Sequence, residues 1–263
     1  MKIFYDQKQL VATLDADGIC RVELNNPEQL NALNTTMAEG AVELAALIEK
    51  SGARVVIFSG RGRAFSAGGD LEYLLTLTRL TKEESSANML KFYRSYLALF
   101  TLPLPTIARI NGPCVGAGFC LALACDLRFV HSGAKVGMNF VRIGLNPGMA
   151  SEFWAQGENT PLIREMLLTG KIYSASEPRL RPLFNQVGSA EEISAAVDAC
   201  AQAIADNSPQ SIGLSLELLR NRHMDFEQLI QKESSGQGIC MNTGEIAAAV
   251  AAQKKGEKFR FKI

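Results

Sequence analysis

A change of pattern along the chain constrains its fold more than any other feature. In the first part, short apolar runs alternate with helical segments. The run Val55–Phe58, for example, lies between Gly52 and Gly60 and is typical of a strand buried on both faces of a parallel sheet. Further strands are predicted at Thr106–Ile110 and Leu127–Val130.

From about Ser189 onward the apolar residues recur only at helical spacing. Four alanine-rich segments follow one another without a strand signal, at residues 191–206, 210–221, 226–232 and 245–255. Alternating strands and helices predict an α/β core. We therefore predict an α/β domain over residues 1–188 and a helical region over residues 189–263.

Several shorter elements complete the prediction. Alternating apolar residues and the turn at Asp17-Gly18 predict a hairpin of residues 11–16 and Ile19–Leu24. Helical spacing predicts helices over Met37–Lys50 and Gly118–Ala124. The stretch Thr76–Asn88 is polar and is predicted to be a loop.

Charge and cysteine usage exclude several classes of protein. The 263 residues contain 27 Lys and Arg against 27 Asp and Glu, which offers no footprint for nucleic acid or for a membrane surface. No stretch approaches 18 consecutive apolar residues, as a spanning helix requires, and the N-terminus lacks a signal-peptide pattern. The six cysteines form no CxxC pair, so we predict a reduced cytoplasmic protein with no metal site.

Two motifs are present only in part, and a third is absent. The segment Gly116–Leu121 has Leu121 in place of the third glycine of a dinucleotide fingerprint. No P-loop pattern occurs. Ser66 lies in a sequence like a nucleophile elbow without its first glycine, but the histidines that could serve it, His131 and His223, lie in unremarkable contexts.

Two glycine-rich turns, each between a strand and a helix, carry the strongest functional signal. The first is Ala64–Leu71 (AFSAGGDL) and the second is Asn111–Gly118 (NGPCVGAG). Glycine permits a close approach of backbone and ligand, and a helix N-terminus presents free N–H groups. Two such groups can form an oxyanion hole, although tight turns alone would give the same spacing. Asp70 is expected to cap the helix that follows.

Further motifs follow the two turns in the order typical of one family. The chain resembles the enoyl-CoA hydratase/isomerase family, also called the crotonase superfamily. Besides the two turns, the resemblance covers these segments: Asn31–Asn34 (NALN), Leu121–Ala122, Cys125–Asp126, Arg142–Gly148 (RIGLNPG), Leu168–Gly170 (LTG) and the tail 248–261. It implies a crotonase-like spiral of ββα turns with a helical C-terminal trimerisation region. It also implies an acyl-CoA thioester as substrate, no separate cofactor, and a homotrimer or a dimer of trimers.

The resemblance also implies roles for individual residues. The backbone N–H groups of Gly69 and Ala117 would hold the thioester oxygen of an enolate. Substrate or CoA contacts are implied for the following residues: Gln29, Ala32, Ala64, Ala67, Gly68, Asp70, Leu71, Gly116, Phe140 and Gly148.

The catalytic acids are where the sequence departs from the family. Matching motif to motif places Cys120, Phe140 and Gly148 at the usual acid positions. Hydration needs an acid and a base, so isomerisation, decarboxylation or thioester hydrolysis is favoured over hydration. Glu152 could act as a lone proton shuttle or merely stabilise a helix N-terminus. Cys120 could be a nucleophile, but inert packing is the alternative. A catalytically silent acyl-CoA-binding protein remains the competing hypothesis.

Overall fold

The computed structural model describes residues 2–149, 160–220, 226–241, 243, 245–255, 257, 259 and 261. Its main sheet has seven strands in the spatial order β1-β2-β3-β4-β5-β7-β10. Their bounds are β1 Lys2–Gln7, β2 Leu10–Leu14, β3 Ile19–Leu24, β4 Val55–Gly60, β5 Thr106–Ile110, β7 Leu127–His131 and β10 Gln186–Gly188.

Two kinds of strand pairing build this sheet. Strands β1, β2 and β3 form an antiparallel meander, and from β3 onward every pair is parallel. Every residue of β4 is buried, as its apolar run predicted. A smaller sheet of β6 Cys114–Val115, β8 Lys135–Gly137 and β9 Ile172–Ser174 lies beside the second glycine-rich turn.

The helices of the described residues include the predicted ones, with different bounds, and three that were not predicted, at residues 71–77, 82–100 and 160–169. They are α1 Thr35–Ile48, α2 Leu71–Leu77, α3 Lys82–Phe100, α4 Ala117–Ala124, α5 Thr160–Thr169, α6 Ala190–Ala205, α7 Pro209–Arg220, α8 Phe226–Met241 and α9 Glu245–Lys254. The loop predicted at Thr76–Asn88 is wrong, because α2 and α3 occupy most of it. Helix α3 begins with a capping box. The Thr81 side chain accepts a hydrogen bond from the Glu84 backbone N–H, and the Glu84 side chain accepts one from the Thr81 backbone N–H.

The sheet is covered on both faces. Helices α1, α3 and α4 bury one apolar face against it, and α4 is completely buried. On the other face, Ile193, Val197 and Ala201 of α6 pack against Ile57 and Phe129. The division at residue 188 remains a prediction, although α6 packs closely on the sheet.

A bidentate ion pair joins α7 to the core. Arg220 donates to both carboxylate oxygens of Asp126, at 2.9 and 2.6 Å, and to the carbonyl oxygens of Leu102 and Leu104. Asp126 in turn accepts from the backbone N–H and the hydroxyl of Thr106 at the start of β5. Within the described ranges, no helix is long and apolar enough to cross a membrane.

Candidate active site

The two glycine-rich turns leave the carboxyl ends of adjacent parallel strands. The first follows β4 and the second follows β5, so both lie at the edge of the sheet where ligands of α/β proteins usually bind. Asn31 shapes the first turn. Its buried amide donates to the carbonyl oxygens of Arg61 and Ala64, at 3.0 and 2.9 Å.

A second asparagine joins the second turn to the chain between the end of β4 and the first turn. The Asn111 amide nitrogen donates to the carbonyl oxygens of Gly60 and Gly62, and its oxygen accepts from the Gly60 N–H at 3.0 Å. The two turns also form an isolated parallel bridge between Ser66 and Cys114. These bonds fix the two backbone segments side by side.

Glycines allow the turns to touch. A Cβ added to Gly68 would lie 2.9 Å from the Val115 carbonyl oxygen and 3.4 Å from the Ala117 nitrogen. A Cβ on Gly118 would lie 2.7 Å from the Ser66 Cβ. Both positions therefore require the absence of a side chain, and the contact brings the end of the first turn to the first residue of α4.

At this contact two backbone N–H groups are unused. In the parallel bridge between Leu33 and Gly69, Leu33 donates to the Gly68 carbonyl at 2.7 Å and accepts from the Asp70 N–H at 2.9 Å. The Gly69 N–H is therefore outside the bridge. Ala117 is the first residue of α4, whose opening N–H groups have no intrahelical acceptor. In the described part of the chain, neither N–H donates a hydrogen bond.

The side chains of the first turn have structural roles. The Ser66 hydroxyl donates to the Asn31 carbonyl and accepts from the Gly68 N–H, which leaves no role for it as a nucleophile. Asp70 caps α2, as expected, by accepting from the N–H groups of Glu72 and Tyr73 at 2.8 and 3.2 Å.

Cys120, Phe140 and Gly148 offer no carboxylate. Cys120 lies one turn into α4 and is completely buried, and burial raises the pKa of its thiol well above the ordinary value. Phe140 is half-buried at the start of a short 3₁₀ helix, Phe140–Ile143, and packs against the main core. Gly148 is half-buried, and its Cα faces the ring of Tyr93 on α3.

The other residues implied as substrate contacts surround the turns. Ala64 is buried, Ala32 and Ala67 are half-buried, and Gly116 is buried with φ +55°. Gln29 is exposed and accepts a hydrogen bond from the Asn26 amide at 2.8 Å. Leu71, at the start of α2, is 59% exposed. Their contact with a substrate remains a prediction.

Sequence reasoning missed two polar groups beside the turns. The Asn139 amide oxygen would lie 3.2 Å from a Cβ on Gly116, and the Tyr93 phenol lies against Gly148. Helical spacing could have placed Tyr93 on the inner face of α3, beside Phe92 and Tyr96. Glu152 lies outside the described residues. Within the described ranges, no group of three metal-ligating side chains occurs.

Comparison with protein-family models assigns the chain. The model for "Enoyl-CoA hydratase/isomerase" matches residues 15–253. The chain therefore belongs to the enoyl-CoA hydratase/isomerase family, and the expected resemblance is confirmed.

Individual relatives agree with this membership. A Thermus thermophilus protein that carries an enoyl-CoA hydratase name is 36% identical over 199 residues, or 75% of this chain and 79% of its own. The short-chain-enoyl-CoA hydratase of Clostridium acetobutylicum is 27% identical and covers 94% of this chain and 97% of its own. A peroxisomal Δ(3,5)-Δ(2,4)-dienoyl-CoA isomerase of Arabidopsis thaliana is 26% identical over 98% and 97% of the two chains.

Solved structures confirm the predicted crotonase-like α/β fold. The enoyl-CoA hydratase structure from Polaromonas sp. JS666 superimposes with a TM-score of 0.88 at 25% identity and covers 96% of this chain and 99% of that one. An enoyl-CoA hydratase/carnithine racemase structure from Magnetospirillum magneticum gives a TM-score of 0.85 at 28% identity, over 99% and 97% of the chains.

Proposed function

We propose that this family member binds an acyl-CoA thioester and holds its carbonyl oxygen between the backbone N–H groups of Gly69 and Ala117. The contact between Gly68 and Ala117 carries the proposal, because it places Ala117 beside the residue that precedes Gly69, and the N–H groups of Gly69 and Ala117 are both unused. Two donors aimed at one oxygen stabilise the charge of a thioester enolate, and the N-terminus of α4 adds its dipole. The substrate brings its own CoA, and no separate cofactor is part of the proposal.

The proposed reaction is isomerisation, decarboxylation or thioester hydrolysis rather than hydration. Adding water to a double bond needs a base for the water and an acid for the α-carbon. A buried neutral thiol, a phenyl ring and a glycine at positions 120, 140 and 148 supply neither. Because several relatives are named hydratases, hydration of crotonyl-CoA is the reaction against which the others are compared.

Binding is tested first, by the melting temperature of the protein with a panel of acyl-CoA thioesters. A ligand that binds the native state raises the melting temperature in proportion to ln(1 + [L]/Kd). We expect CoA thioesters to raise it and free acids of the same chain length to leave it unchanged. Equal shifts from the free acids would contradict the CoA site.

The role of the backbone donors is tested by Ala117→Pro. Proline is well accepted at the first residue of a helix and removes the N–H. Lys82→Pro is the matched control, because Lys82 is the first residue of α3 and is exposed. We expect Ala117→Pro to lower the turnover of the acyl-CoA thioester by about 10²–10³ and Lys82→Pro to leave this turnover unchanged. Equal turnover in both variants would overturn the proposed role of Ala117.

A binding protein without catalysis is the second candidate, favoured by the three positions that lack an acid. Exchange of the α-protons of a saturated acyl-CoA with deuterated water separates the two. Exchange shows that an enolate forms at the site. A thioester that raises the melting temperature without exchanging its α-protons would instead support the binding protein.

Assembly into a trimer or a dimer of trimers is proposed from the C-terminal helices. Apolar side chains there are exposed in the single chain, among them Leu219 at 73%, Ile239 at 46% and Ile246 at 46%. Exposed apolar surface of this kind is typical of an interface. A sedimentation mass equal to one 28.5 kDa chain at micromolar concentration would contradict this proposal. A cytoplasmic location stays a prediction.

A further inference from the structure

The Tyr93 phenol occupies the space that a side chain at position 148 would need. A Cβ added to Gly148 would collide with the Tyr93 hydroxyl and would lie 3.0 Å from the Cζ of its ring. Position 148 is one of the places where the sequence analysis expected an acid and found none. Because residue 148 is a glycine, the Tyr93 hydroxyl of α3 can lie in this space.

The helix that carries this hydroxyl packs against α4. Ala117, whose N–H group is unused, is the first residue of α4. Tyr93 therefore lies on the helix that covers the helix of the proposed oxyanion donor.

Tyr93 is also available to a ligand. It is half-buried, and within the described residues its hydroxyl makes no hydrogen bond. By contrast, the hydroxyl of Tyr96, one turn further along α3, donates to the Asn34 carbonyl at 2.9 Å. A phenol next to water or a ligand can both donate and accept a proton.

Few titratable groups surround this phenol in the described structure. Cys120 of α4 is completely buried, and its raised pKa keeps the thiol neutral. The ring of Tyr73 of α2 stacks on Phe92 with 5.2 Å between the ring centroids. The negative charge of Asp70 raises the pKa of Tyr96 and not that of Tyr93. From the segment before Gly148, Phe140 contributes an apolar ring to the same core.

We infer that the Tyr93 hydroxyl exchanges the proton at the α-carbon of the bound thioester, in the place of the absent carboxylates. The inference rests on the proposed enolate chemistry. In one direction the phenolate oxygen takes the proton from the α-carbon, and the C–H electron pair moves into the enolate held by Gly69 and Ala117. In the other direction the phenol O–H protonates the α-carbon, and the charge returns to the Tyr93 oxygen.

This assignment predicts a particular pH dependence. Because burial raises the pKa of Tyr93, the phenolate is scarce at neutral pH and increases about tenfold per pH unit. The exchange rate of an α-proton should therefore increase with the same slope from pH 6 to 9. A carboxylate base would instead give a rate that is constant above about pH 6.

The experiment follows deuterium incorporation into butyryl-CoA by mass spectrometry between pH 6 and 9, with a blank without protein. We expect Tyr93→Phe to lower the exchange rate by about 10²–10⁴. Tyr96→Phe is the matched control, since it removes a hydroxyl from the same helix face and should retain exchange. Melting temperatures with and without butyryl-CoA show whether each variant folds and binds.

The outcomes separate this inference from the proposed function. Exchange retained by Tyr93→Phe, or a pH-independent rate that is lost in Glu152→Gln, would overturn the role of Tyr93 and leave the backbone donors in place. A thioester that binds the unmodified protein but never exchanges would overturn both the role of Tyr93 and the proposed enolate chemistry, and would support the binding protein. If Tyr93→Phe does not fold, the pH profile of the unmodified protein still decides between a phenol and a carboxylate.

Discussion

Gly68 and Ala117 touch across the two glycine-rich turns. A Cβ on Gly68 would lie 2.9 Å from the Val115 carbonyl oxygen and 3.4 Å from the Ala117 nitrogen, and the Gly68 backbone has φ +91°. The short distances disfavour a side chain at position 68 because a Cβ would crowd the other glycine-rich turn. The positive φ disfavours one because L-residues rarely adopt this conformation. Gly68 thus determines how closely the two proposed oxyanion donors approach.

Gly68→Ala should damage the site more than the conformational strain alone explains. Gly52→Ala is the matched control, because Gly52 has φ +77° and open space where a Cβ would lie. Both variants should lose about 1–2 kcal/mol of unfolding free energy from the positive φ. Only Gly68→Ala should lose a further amount and lower the turnover of an acyl-CoA. Urea denaturation and turnover measure both effects, and equal losses in the two variants would contradict the role of the contact.

Restoring two carboxylates should create hydration. Cys120→Glu alone places a carboxyl group in a completely buried site, which should raise its pKa and reduce stability without giving hydration. Phe140→Glu alone should also give none. We expect the double variant Cys120→Glu with Phe140→Glu to show weak hydration of crotonyl-CoA, because an acid and a base would then lie beside the oxyanion donors.

The comparison is made by following crotonyl-CoA hydration in the unmodified protein, both single variants and the double variant. Rapid hydration by the unmodified protein would show that the assignment of the acid positions is wrong.

Tyr5 should make stability fall at high pH. Burial, together with the hydrogen bond to Glu43 at 3.2 Å, raises the pKa of Tyr5 to about 12. The unfolded chain loses this proton near pH 10, so the contribution is complete below pH 10 and is lost as the pH rises to about 12. Tyr5→Phe should therefore lose stability less steeply over this window. Parallel urea-denaturation profiles for the two proteins would contradict the shift.

Much of the core could be predicted because its signals are local. The run Val55–Phe58 gave a fully buried strand, and Thr106–Ile110 was predicted with the bounds that β5 has. Strand β1 was missed because it lies at the sheet edge and only Tyr5 among its residues is buried, so its sequence lacks a clear alternation. Helix α8 was predicted to end at Lys232 but continues to Met241, through serines and glycines that are poor helix formers.

The site was predictable only in part. The two turns have a sequence signature, since glycine is required where backbones touch. Helical spacing indicates that Tyr93 lies on the inner face of α3, but its contact with Gly148 has no sequence signature, because the two residues are distant in the chain and meet only through tertiary packing. The loop prediction at Thr76–Asn88 failed for a different reason. The apolar face of α3 begins only at Met89 and Phe92, so the start of this helix has no apolar pattern.

The central claim is that the N–H groups of Gly69 and Ala117 hold the thioester oxygen. Isotope-edited infrared spectroscopy of ¹³C-carbonyl butyryl-CoA measures this directly, because hydrogen bonds to the oxygen weaken the carbonyl bond and lower its stretching frequency. We expect a lower frequency on binding to the unmodified protein and to Lys82→Pro, and a frequency close to the value in water for Ala117→Pro. A bound thioester whose carbonyl frequency is the same in the unmodified protein and in Ala117→Pro would contradict the account.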